Sequence, residues 1–343
     1  MNFIKKSFVV VALGLALVAC KHDDEHYPPL NINYNAAYVV NGQDNNISVV
    51  NLAETKVSET IRLKDAVAPH HISLSPDKKT LAVAITSTDL SGGHAGHGAE
   101  GNFKVLILDA VTGLVTKTIS LPKMPHNGAF NQSGTELWIG QAEDAGKVLV
   151  YSTSDWALKH TITVGKNPSE VTFSADGTQV YVANTDAASV TVINANNKTV
   201  RATLTVGTSP VGAWPASNGK MYVDNETAKS ISVIDVASAT VTETFSLGFK
   251  PGYAAYHSGT HELWVSDATN GKVVVYSHNG NNWAKKTDVA TGADAHAIAF
   301  SDDLKLAYVT NQAAHTLSVV DAGTYTKVKD ILVGKMPNGI VLR

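Results

Sequence analysis

Apolar and β-branched residues in this chain come in runs of three to six, broken by clusters of Asn, Asp, Ala and Lys. That pattern predicts short strands and turns. It is clearest in residues 180–207, VYVANTDAASVTVINANNKTVRATLTVG, which read as three strands and contain no run of apolar residues at helical spacing. One such unit covers only part of its own apolar surface, so it requires copies on either side.

The copies are present. An aromatic position in the first of these strands recurs as Tyr38, Trp138, Tyr181, Tyr222, Trp264 and Tyr308, with Ala82 holding the place in one enlarged unit. The following strand recurs as ISVVN, VLILD, VLVYS, VTVIN, ISVID, VVVYS and LSVVD, each closed by a side chain that can bond its own backbone. Ahead of the aromatic strand stands a further short segment, usually opened by proline, as in PHHISLS, PHNGAF, PSEVTF, PVGAW and PGYAAY. Four strands per unit at a period of about 40 to 45 residues predict an all-β, seven-bladed β-propeller of four-stranded blades. The last segment, PNGIVLR from Pro337, is expected to complete the N-terminal blade and close the ring, leaving no long free sheet edge there. The expected organisation is a lipoprotein signal peptide over residues 1–19, a polar tether over 20–33 and one propeller over 34–343.

Composition narrows the partners. Charged residues make up 17% of the 343 positions and the formal net charge is -3. Arg occurs only at 62, 201 and 343, too few for a surface of bidentate phosphate contacts, so nucleic acid is disfavoured. At the N-terminus, Lys5 and Lys6 precede an apolar run from Phe8 to Ala19 that is short for a membrane span and has the layout of a secretory signal. Leu17-Val18-Ala19-Cys20 resembles a bacterial lipobox, which implies cleavage before Cys20 and lipid on that residue. Lipidation also accounts for a single cysteine in an exported chain. The expected location is the bacterial cell envelope, anchored by lipid to the outer membrane and facing the periplasm or the cell surface. The polar segment after Cys20 reads as a solvated tether; its acidic run Asp23, Asp24 and Glu25 resembles the surface-export signal of Bacteroidetes lipoproteins.

Candidate chemistry sits in one column of the repeat. The residue after each blade-opening proline, or after Ala295 where proline is replaced, is expected at the mouth of the central channel. That column reads His70, His126, Ser169, Val211, Gly252, His296 and Asn338. The three imidazoles and Asn338 fall on neighbouring blades, and three converging imidazoles suit a transition metal such as Zn or Cu with a coordination position open. The insertion STDLSGGHAGHGAEGN, residues 87–102, is expected on the same face, where it brings His94 and His97 toward His70. His71, Asp294, Glu170 and Asn338 are further candidate ligands or acceptors. The column Asn41, Gln141, Asn184, Asn225, Asp267 and Asn311 is read as turn-closing, and Trp156, Trp214 and Trp283 as blade-packing or surface aromatics. The sequence contains no nucleophile elbow, phosphate loop, His-Glu-x-x-His helix or haem-attachment Cys motif.

The strings YVAN at 181–184 and YVTN at 308–311, with VTVIN, LSVVD, SPDK and SADG, resemble the YVTN-repeat, YncE-like propeller family from about residue 34 to the end. The resemblance implies the propeller fold. For function it leaves binding proteins, haem-bearing reductase domains and lactonases all open. Three readings follow, in order of preference. The first is a non-catalytic binding lipoprotein, plausibly holding Zn or Cu through the channel histidines, by analogy with exported zinc-chaperone propellers. The second is a scaffold for an envelope protein or glycan, and the third a haem- or metal-dependent oxidoreductase-like propeller. A monomer is expected, with the membrane as partner through Cys20 and an envelope protein or small ligand as further partner.

Overall fold

The computed structural model describes residues 27–90 and 100–343. Their 28 strands form seven four-stranded antiparallel sheets, with a single 3-10 turn at Thr185–Ala187. Among these residues no helix is long and apolar enough to cross a membrane.

Each sheet is a blade, and the innermost strands are, in blade order, Pro337–Leu342, Pro69–Leu74, Gly128–Phe130, Pro168–Phe173, Pro210–Pro215, Pro251–His257 and Ala295–Phe300. Blade one is assembled from both ends of the chain. Tyr38 pairs with Val341 and Asn41 with Pro337, so the last strand lies against Ala36–Asn41 and closes the ring as the repeat predicted. The side chain of Arg343 fastens this seam by donating to the carbonyls of Ile32 and Lys78. Within the stretch read as tether, Leu30 and Ile32 donate backbone hydrogen bonds to Thr112 and Val111 of blade two, and Ile32 is fully buried. The ordered body therefore extends a few residues ahead of the first strand.

The core is divided among the gaps between blades. Each of the seven buried apolar clusters brings together strands of two neighbouring blades, including the gap between blades seven and one, where Ala37 and Val39 meet Tyr308 and Leu317. The repeated aromatic fills these gaps: Tyr38, Trp138, Tyr181 and Trp264 are fully buried, and Tyr222 and Tyr308 nearly so. Burying such a side chain is worth about 1.5–3 kcal/mol, which makes each blade depend on its neighbours. Tyr38 also donates its hydroxyl to the carbonyl of Ala110 in the next blade.

The Asn column does more than close turns. Asn41, Asn184, Asn225 and Asn311 are wholly buried and donate to hydroxyls on the following strand, as Asn184 does to Thr191 at 2.9 Å.

Candidate metal centre

The innermost strands share a departure from regular pairing that builds the centre of the ring. In blade two, Pro69 pairs with Ile85 but the next partners are Ile72 and Val83, so one extra residue is accommodated between them. Related register shifts occur in the innermost strands of blades one, four, five, six and seven. In blade three the pairing begins only at Gly128. A bulge takes residues out of the ladder and re-aims their side chains. Here it presents two consecutive residues toward the axis rather than one. The first column is the one identified from sequence; the second reads His71, Asn127, Glu170, Gly212, Tyr253, Ala297 and Gly339.

Gly339 shows how closely the strands approach. A Cβ there would lie 3.0 Å from His71 Cα and from Ile72 N, so only glycine lets blade one come this near to the His70–His71 bulge.

The result is a buried cluster. His70, His71 and His126 each offer a nitrogen, and these lie within 4.8 Å of one another. The Nε2 atoms of His70 and His126 are 3.1 Å apart. Two imidazoles on one tetrahedral metal with bonds of about 2.0–2.1 Å need roughly 3.3 Å between their nitrogens. Glu170, 1% exposed, receives His71 Nδ1 at 2.8 Å and His126 Nδ1 at 3.2 Å on the same carboxylate oxygen. Burial alone would push its carboxyl up, but electrostatic attraction to the His71 ring and the hydrogen bonds from both rings outweigh it and hold the group well below the ordinary carboxylate range.

An ionised carboxylate only accepts, so both rings carry their proton on Nδ1 and turn Nε2 away from Glu170. His71 Nε2 is buried with no hydrogen-bond partner among the described residues. On the third ring, Asn338 Nδ2 is 2.6 Å from His70 Nδ1, while the Asn338 Oδ1 is buried without a partner. With the amide turned over, Oδ1 accepts from His70 Nδ1–H, and His70 Nε2 faces His126 Nε2, its partner at 3.1 Å; the two ends of an amide are interchangeable by shape. Carboxylate or amide behind each imidazole is the outer arrangement that metal-binding histidines use.

The other expected residues fall as follows. His296 is buried on blade seven with its ring centroid 5.9 Å from that of His71, beside the cluster but outside the group of three. Asp294 is half-buried at φ 60°, two residues before His296, and burial pushes its carboxyl up. The two strands that flank the insertion end on the expected face: Ile85 and Lys104 pair with each other, and Ile85 pairs with Pro69. His94, His97 and Cys20 lie outside the described residues.

One feature differs from expectation. The histidines do not line an open rim: His70 is 2% and His126 1% exposed, and they form a plug across the channel. Trp214, read as a packing aromatic, does pack in the buried cluster between blades five and six, and from the innermost strand of blade five it also lines the channel beyond the plug. Its signal was its position, three residues from the blade-opening proline's neighbour, where other blades carry smaller or aliphatic residues.

With this fold and site in view, the family model described as YNCE-like beta-propeller matches residues 6–342. The chain belongs to that family. No curated protein matches it significantly. Among solved structures, this YNCE-like propeller is similar to a functionally unknown protein from Desulfotomaculum acetoxidans at 13% identity and TM-score 0.73, covering 90% of this chain and 98% of that one. It is also similar to the periplasmic gluconolactonase PpgL of Pseudomonas aeruginosa, at 15% identity and TM-score 0.69 over 90% of this chain and 98% of that one. Kuenenia stuttgartiensis hydrazine synthase follows at 20% identity and TM-score 0.66, over 80% of this chain and 90% of that one. At such identities the likeness is one of fold.

Proposed function

We propose that this YNCE-like propeller is a metal-binding protein of the bacterial envelope, holding one transition metal ion of the Zn or Cu class with Nε2 donors from His70, His71 and His126. The observation that carries the reading is the orphaned, buried Nε2 of His71, aimed away from a carboxylate that already occupies its Nδ1. Glu170 orients two ligands and Asn338 the third, while His296 stands near enough to enter as a fourth on a small ring rotation. In this reading His94 and His97 on the 87–102 insertion collect the ion above the plug, and lipid on Cys20 keeps the ring at the membrane. The role is binding rather than catalysis.

Metal-stripped protein should take up about one Zn²⁺ or Cu²⁺ per chain in calorimetric titration, releasing protons as neutral imidazoles bind. The His70→Ala, His71→Ala, His126→Ala triple variant should take up none at the same concentrations. Equal uptake by the two proteins, with the triple variant folded by circular dichroism, would remove the proposal.

A further inference from the structure

Beyond the histidine plug the channel widens into a cavity of about 300 Å³ to which all seven blades contribute. Its inner end is closed by His71 and Glu170, both buried. Toward the opposite end the lining becomes progressively exposed, through half-buried Leu74, Phe130 and Phe173 to exposed Pro215, so this end opens to solvent. The two ends differ in chemistry. The open end and walls are aromatic and aliphatic. Trp214 packs against Tyr253 with ring centroids 3.7 Å apart and planes tilted by 35°, and Trp214 is fixed in place by its Nε1 donating to Asp224 at 2.7 Å. The closed end is polar and carries an acceptor that lacks a donor, the buried and unpartnered His71 Nε2; farther along the wall, level with Trp214, the Ser73 hydroxyl is also without a partner.

No Lys or Arg lines the cavity among the described residues. An anion would meet the Glu170 carboxylate with no basic side chain to offset it. An organic cation gains little from Glu170, whose charge is already taken by His71 and His126. What remains is a neutral molecule with an apolar body and one O–H or N–H at its tip. A volume of 300 Å³ equals that of about ten waters at roughly 30 Å³ each, enough for a single aromatic ring with small substituents.

We infer that the channel is a binding chamber for a small uncharged aromatic molecule of the phenol class, entering from the face opposite the 87–102 insertion and donating its hydroxyl to His71 Nε2 at the closed end. The ring lies along the wall formed by Trp214, Tyr253 and Phe173, where offset aromatic packing adds about 0.5–1.5 kcal/mol beyond area burial. This site belongs to the metal-free protein: His71 Nε2 has one lone pair, so a metal ion and the phenol hydroxyl exclude each other there. A preformed pocket with an unpartnered acceptor at one end and an apolar wall at the other has the general build of a small-molecule site.

The test uses full-length, metal-stripped protein with phenol, benzoate and benzylammonium as probes, followed by saturation-transfer NMR and by Trp fluorescence. Phenol should bind once per chain, and benzoate and benzylammonium at least tenfold more weakly. Ala129→Trp, which fills the cavity from blade three, should abolish phenol binding; Ala297→Leu, a smaller intrusion from blade seven, should weaken it and keeps the test available if the first variant fails to fold. Absence of phenol binding, equal binding of either charged probe, or unchanged binding in both variants would overturn the inference. A flat metal titration beside intact phenol binding would remove only the metal proposal, and the reverse result only this one.

Discussion

Asp224 offers a quantitative check on the channel's electrostatics. It lies on the second strand of blade five, Lys220–Asn225, and is fully buried behind Trp214. Its Oδ1 accepts from Trp214 Nε1 at 2.7 Å and from Gly212 N at 3.0 Å, while Oδ2 is buried with no partner. Burial, reinforced by the nearby charge of Glu226, pushes the carboxyl well above its ordinary value. The folded protein therefore keeps a proton that the unfolded chain releases above about pH 3.9. A group raised on folding contributes its full stability below the unfolded value and loses it as pH climbs toward the folded one. Each pH unit in that window costs about 1.4 kcal/mol, so from pH 4 to pH 7 the loss reaches at most about 4 kcal/mol. Asp224→Asn keeps the accepting oxygen and replaces the protonated one with an uncharged NH₂, which removes the pH-dependent part. Urea unfolding at pH 4, 5, 6, 7 and 8 should show the variant close to wild type at pH 4 and increasingly more stable above it. Parallel curves across the whole range, or a variant that loses ground as pH rises, would refute the argument.

Further outcomes follow from the same geometry. Glu170→Gln should weaken Zn²⁺ or Cu²⁺ binding about 10- to 100-fold while leaving its stoichiometry unchanged, because it removes the shared acceptor behind two ligands; competition with a chelating dye reads this directly. Tyr38→Phe should cost about 1 kcal/mol in urea unfolding, since it deletes the hydroxyl bonded to Ala110 and leaves that carbonyl buried without its donor. Gly339→Ala should cost about 1–3 kcal/mol and lower metal affinity, because the new methyl meets His71 Cα and Ile72 N at 3.0 Å; unaltered stability would show that the strands can separate freely there. Removal of residues 337–343 should expose the edge of Ala36–Asn41 and produce soluble aggregates on size-exclusion chromatography.

The ring was legible because its core is written as repetition. Tyr38, Trp138, Tyr181, Tyr222, Trp264 and Tyr308 recur at blade period, and all six are buried between blades. The site was legible only by half. Counting one residue after each proline found His70, His126, His296 and Asn338, but left His71 and Glu170, next in the chain, among the further candidates, because regular strand alternation turns that position to the other face. The bulge cancels that alternation, which is why His71 and Glu170 belong to the centre of the cluster rather than to its surroundings. Trp214 was hidden for a related reason: an aromatic in an apolar run has the same appearance whether it packs between blades or lines the axis. The burial of the histidines had no sequence signal, since it depends on how closely Gly339 lets two strands from opposite ends of the chain approach.

That meeting of opposite ends has a consequence for how the molecule is made. Blade one is not finished until residues 337–342 dock against Ala36–Asn41, so the folding chain carries an incomplete sheet until these two distant segments meet. The same strand carries Asn338 against His70, so the support behind that imidazole is completed in the same step. On the proposed metal reading, an ion met before that docking finds no finished cradle, and loading is coupled to completion of the circle.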